Sequence, residues 1–130
     1  MSEAMGASFS GTQYDPSNLI AGDKPPAKAE HVTLLDGESV VPGSVLGVVT
    51  ASGKYVLSLN AATDGSEVAR AISAVTAAPS GADEEILAYV QGEFNQDRLT
   101  FGTGQTAANT RQDLMDKNIH LVDPVTNTPA

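Results

Sequence analysis

The sequence predicts a mainly β domain, a small barrel or sandwich, with one helix near its C-terminal end. Three observations carry this. Short apolar runs rich in Val, Ile and Leu recur along residues 32–101, and the first of them stop at turn dipeptides: Asp36-Gly37, Pro42-Gly43, Ser52-Gly53. Only the stretch after Thr106 clearly repeats its apolar residues at three and four positions. Aromatic residues are 5% and charged residues 18% of the chain, and the balance is Gly, Ser, Thr, Ala, Asn and Pro, which favour turns and short strands over long helices. The 130 residues suffice for a single core and no more.

In chain order, residues 1–31 read as an arm and 32–130 as the domain. Met1 to Ser10 is small and polar apart from Phe9. Tyr14-Asp15-Pro16-Ser17-Asn18-Leu19-Ile20 gathers a small apolar cluster among turn formers, and Ala21 to Ala29 has a linker's composition, with Pro25 and Pro26 removing two backbone donors. Such a segment buries too little apolar area to offset the entropy of ordering it. It is either a loose terminus or an arm that orders on a partner through Phe9, Tyr14, Leu19 and Ile20.

Val32-Thr33-Leu34-Leu35 and Ser39-Val40-Val41 open the domain. Val45 to Thr50 and Lys54 to Leu59 flank Ala51-Ser52-Gly53 as a hairpin. Alternation puts Tyr55, Leu57 and Leu59 on its apolar face. Ile86 to Phe94 and Arg98 to Phe101, around Asn95-Gln96-Asp97, give a second hairpin signal. Between them, Asp64 to Val75 is ambiguous. Asp64 and Glu67 have the spacing of a capping box, with Val68, Ile72 and Val75 at helical intervals, while the same residues also alternate as a strand. Thr106 caps the expected helix, in which Ala107, Ala108, Arg111, Leu114, Met115 and Asn118 share a face. Ile119 to Val122 reads as a terminal strand.

Composition excludes much chemistry. The net charge is −9, from 16 acidic and 7 basic side chains, which opposes binding to nucleic acid or an anionic membrane. With no Cys there is no disulfide, thiolate–metal site or thiol nucleophile. No apolar run has the length of a membrane span, and the N-terminus lacks the pattern of a signal peptide. Gly102-Thr103-Gly104-Gln105-Thr106-Ala107 has some likeness to a dinucleotide fingerprint, but fewer than 30 residues follow it, too few for more sheet, and no Lys follows the second glycine. His31 and His120 have no HxH or HExxH spacing, and Asp83-Glu84-Glu85 lacks the spacing of a calcium loop. No Ser stands in a GxSxG setting. These readings imply no cofactor, no metal and no enzyme.

Two resemblances bear on function. Val41-Pro42-Gly43-Ser44-Val45-Leu46-Gly47 is similar to the glycine-punctuated hairpins of biotinyl and lipoyl carrier domains, with Lys54 as the modified residue, though Lys54 lacks that motif's neighbours. A small nucleotide-binding domain built on Gly102 to Ala107 is the other alternative. The fuller match is an ordered series: Tyr14 to Asp23, Val41 to Gly47 with Ser52 to Tyr55, Ala61 to Ser66 with Ala71 to Ala74, Gly92 to Asn95, and the closing helix up to Leu121. Together these resemble the lambda-type head decoration proteins of tailed phages over about residues 14–122. The resemblance implies a β-tulip-like barrel with a short C-terminal helix and an extended N-terminal arm, and assigns the ambiguous segment to a strand. It further implies a homotrimer on the outside of the expanded phage head, at three-fold and quasi-three-fold sites, that cements the capsid against DNA pressure. The major capsid protein is then the partner, with Phe9, Tyr14, Asp15, Pro16, Leu19 and Ile20 in the binding arm. The expected location is the virion, after synthesis in the host cytoplasm.

Overall fold

The computed structural model describes residues 19–22 and 25–122. Their strands are β1 (Ile20–Gly22), β2 (Lys28–Leu34), β3 (Val45–Val48), β4 (Tyr55–Leu57), β5 (Ala69–Ser73), β6 (Glu84–Asn95) and β7 (Ile119–Val122), and the one α-helix is α1 (Ala107–Met115). Strands β6, β2, β4, β3 and β5 pair in that order and β5 closes back on β6, making a 5-strand mixed barrel. All barrel pairings are antiparallel except β2 with β4. The chain is therefore mainly β with one short helix, as its turn-punctuated runs predict.

β6 is the organising strand. Its 12 residues exceed what the barrel uses. Glu84–Gln91 pair with β2, and Gly92–Asn95 leave the barrel to form an outer sheet with β1, antiparallel, and β7, parallel. Gly92 makes the transition. Its φ of 144° lies where side chains strain the backbone, and a Cβ there would press on Ala27 and the Phe94 ring.

Both faces of the sheet are covered, so there are two apolar clusters. Leu34, Val40, Leu46, Ala71, Ala77, Ile86 and Ala88 fill the barrel. Leu19, Val45, Ala69, Ile72, Phe94, Leu114, Ile119 and Leu121 lie outside it, under α1 and the outer sheet. β5 is a strand, not a helix. Its bulged register lets Ala71 face one cluster and Ala69 and Ile72 the other.

Several expectations are corrected. The hairpin of 45–50 with 54–59 forms, but Tyr55, Leu57 and Leu59 are not its buried side. Val56 and Ser58 are more deeply buried, and Leu59 is 39% exposed. Alternation misleads here because both faces of the pair are in use. Tyr55 packs partly on the barrel interior, while Ser58 turns to the other side and hydrogen-bonds there. The second hairpin does not form. At 92–95, β6 already has β1 on one edge and β7 on the other, so no edge is left for a returning strand. A 3-10 turn over Gln96–Arg98 sends the chain to Gly43 instead, where Thr100 bridges Ser44. The helix starts at the Thr106 cap, but its inner face is Thr110 and Leu114 with Ala107 and Arg111; Ala108 and Met115 face solvent. Asn118 lies beyond its end with φ 65°. Lys28 and Ala29, linker-like in composition, and Glu30 and His31, counted with the arm, are paired residues of β2.

Candidate functional site

Leu19 and β1 bring the chain into the domain. Leu19 is 4% exposed, within the outer cluster, and its carbonyl accepts from Asn95 N at 2.8 Å. Ile20 sits opposite Phe94 and packs partly on the same cluster. Of the six residues assigned to the arm, these two lie inside the described structure, and both hold the chain to its own domain. Phe9, Tyr14, Asp15 and Pro16 lie outside the described residues. β1 is an edge strand of the outer sheet. The opposite edge, β7, has its Leu121 carbonyl covered by Arg111 Nη1 at 2.9 Å, and Arg111 Nη2 also reaches Gln96 Oε1 at 2.6 Å. The outer sheet thus carries a tied edge at β7 and a chain entry at β1.

Lys54 does not stand on a bare turn tip. Its ammonium lies 2.6 Å from Asp83 Oδ2. Asp83 Oδ1 accepts from Asp36 N at 2.8 Å, and Asp36 Oδ1 accepts from Gly81 N at 2.9 Å. These bonds join three turns at one end of the barrel. The Lys54 bond first, then the Asp36 amide, holds the Asp83 carboxyl below the usual carboxylate range. A carrier lysine must be free to swing a prosthetic group, so this engagement weighs against that reading. Glu84 and Glu85 begin β6 as exposed strand residues, and His31 Nδ1 lies 3.5 Å from Glu85. His120 instead contacts Asn118 on the outer sheet. The two histidines therefore serve different sheets, and among the described residues no three His, Cys, Asp or Glu gather as metal ligands.

The Gly102–Ala107 segment is a packed turn. A parallel partner for β6 does follow it, in β7, but the glycines come after Phe101, away from the end of β6. A Cβ at Gly102 would strike the Ser58 carbonyl. Gln105, 7% exposed, donates through Nε2 to Ser58 Oγ at 2.9 Å and to the Glu67 carbonyl at 2.8 Å. Ser58 Oγ in turn donates to the Ser66 carbonyl at 2.7 Å. At the start of α1 a capping box meets the Asn109 amide, which donates to Thr106 Oγ1, while Asn109 Oδ1 accepts from Thr106 N. The turn thus presents packed backbone where a phosphate would have to sit. Sequence reading missed Gln105, whose signal, a polar residue between turn glycines and a helix cap, is shared by many exposed turns.

What the structure builds is a stapled β scaffold, acidic overall, with a chain entry at one sheet edge. That is the form of a binding module. Against individual curated proteins the chain has no match. The family model described as Bacteriophage lambda head decoration protein D matches residues 9–118, which takes in ten residues before Leu19, β1, the whole barrel and the helix, and stops just short of β7. With that span covered, the chain belongs to the lambda head decoration protein family, a structural family of phage capsids.

Proposed function

We propose that this chain assembles as a homotrimer on the outer surface of the expanded phage head, at three-fold and quasi-three-fold positions, and cements the shell against internal DNA pressure. The observation that carries this reading is the family match from residue 9 to 118, which begins ahead of the described residues and runs through the helix. The partner is the major capsid protein, and the residues before Leu19 form the contact, with Phe9, Tyr14, Asp15 and Pro16 as its anchors. An extended segment feeding an edge strand suits strand addition to a neighbouring sheet, where backbone hydrogen bonds give affinity and alternate side chains give specificity. Pro16 would mark the end of the paired stretch, since it has no N–H to donate. Leu19 and Ile20 are then the inner anchor, fixing the arm to the domain that it tethers.

The mechanism is mechanical. Each trimer joins several capsid subunits, so many modest contacts act together and must break together. At −9 per chain, a head coated with this domain is acidic outside, and neighbouring particles repel.

The test compares the full chain with a form lacking residues 1–18, which retains Leu19 and β1. Each should sediment at about three times its own chain mass, which is 13.4 kDa for the full chain, because closed cyclic assemblies are the common homo-oligomers. Only the full chain should bind expanded heads tightly. Equal binding by the two forms would refute the arm's role, and monomers in both would refute the trimer.

A further inference from the structure

Asp-Gly is a dipeptide in which a protein backbone readily attacks itself. The Gly nitrogen, unhindered by a side chain, adds to Cγ of the preceding Asp. The N–Cγ bond forms, the Cγ–OH bond breaks, and the hydroxyl leaves with the amide proton as water. Water then opens the succinimide at either carbonyl, restoring Asp or leaving isoaspartate, whose main chain runs through the side-chain carboxyl. The attack needs an un-ionised carboxyl, a free amide and room to bring them together.

The chain has two such pairs, Asp36-Gly37 and Asp64-Gly65, and both aspartates are exposed to water. At the second, every group the reaction uses is engaged. Asp64 Oδ1 accepts from Ser66 N at 3.0 Å and from Ser66 Oγ at 2.5 Å. Gly65 N donates to Glu67 Oε1 at 2.9 Å. The Asp64 carbonyl accepts from Thr50 N at 2.9 Å. We propose that Asp64–Gly65 is a latent isomerisation site, held closed by Ser66 and Glu67. The Ser66 hydroxyl bond also keeps the Asp64 carboxyl below the usual carboxylate range, so the reactive neutral form is scarce.

The site matters to the fold. A Cβ at Gly47 would run into the Ser66 carbonyl, which shows how closely this loop lies on β3, and Ser58 Oγ donates to that same carbonyl. An extra main-chain methylene at residue 64 would lift Ser66 off both. Asp36–Gly37 provides an internal comparison. Its groups are tied by main-chain partners distant in sequence, Gly81 N to Asp36 Oδ1 and Gly37 N to the Pro79 carbonyl at 3.1 Å. Changes at 66 or 67 leave those bonds alone.

The experiment ages the full chain in warm neutral buffer and reads isoaspartate at each site by peptide mapping with electron-transfer fragmentation. In the folded wild type, Asp64 should isomerise at least about tenfold more slowly than in the same chain unfolded in urea, as local opening must precede attack. Ser66→Ala and Glu67→Ala should each raise the rate at Asp64 several-fold with Asp36 unchanged. Equal rates in folded and unfolded wild type would overturn the proposal, as would equal rises at both sites in the variants. A slower rate in Glu67→Ala would also overturn it, by making Glu67 a base for the attack and not a tether.

Discussion

Leu19, the first of the described residues, packs in the outer cluster, and its burial makes it a structural residue of the domain. Truncating it removes buried methyl and methylene groups from a packed site. Leu19→Ala should destabilise the domain by about 2–5 kcal/mol in urea unfolding, the range for such core truncations. Gly47 is constrained differently. The atom a Cβ would meet is the Ser66 carbonyl, part of the backbone, which cannot swing away as a side-chain tip would. Gly47→Ala should therefore cost about 1–3 kcal/mol by the same measurement, although alanine suits a strand better than glycine. Sequence alone marked Leu19 as an anchor for a partner, not as a core residue of its own domain, and did not single out Gly47. Leu19 stands in a stretch of turn formers, and Gly47 interrupts a β-branched run. Only the packing of segments far apart in the chain gives them their roles.

At the scale of elements, local chemistry was readable wherever one element decided its own geometry. The Thr106 cap is such a case, since it depends on Asn109 three residues away. Thr106→Ala should lower stability by about 1 kcal/mol, measured by thermal or urea unfolding, as the bond from Asn109 N to the Thr106 hydroxyl is lost while the main-chain N–H of residue 106 keeps its bond to Asn109 Oδ1. The hairpin of β3 and β4 was equally legible, because its turn lies between its strands. Legibility failed where tertiary pairing took over. Asp64 and Glu67 each accept from an amide one residue short of the capping-box pattern, Ser66 N and Gly65 N, and so close a turn ahead of β5. Ile86–Phe94 looked like half of a hairpin because nothing in its own residues shows that β1 and β7 occupy its end. Where the chain enters the domain was not legible, as β1 is three residues long and owes its existence to β6.

For the whole molecule, acid should loosen the end of the barrel where three turns meet. Asp83 is held below the usual carboxylate range in the folded state, chiefly by Lys54. A carboxyl lowered on folding lends stability above its unfolded value and loses it as pH falls through the folded one. The melting temperature of the wild type should thus exceed that of Asp83→Asn at neutral pH, with the gap shrinking as pH drops through and below the ordinary carboxylate range. A gap independent of pH would show that Lys54 and Asp83 contribute no charge-dependent stability. The family's series of motifs was visible in the sequence because it runs in order along the chain, whereas this three-turn junction joins residues 36, 54, 81 and 83 across the fold. The outer sheet has a different consequence. A pull on the chain ahead of Leu19 is taken up first by β1, whose hydrogen-bonded neighbour is β6, and β6 is gripped by β2 and β5 further along. Tension at the domain's edge is therefore carried along one continuous strand into a closed barrel, so the load path ends in the part of the molecule that has no edge to peel.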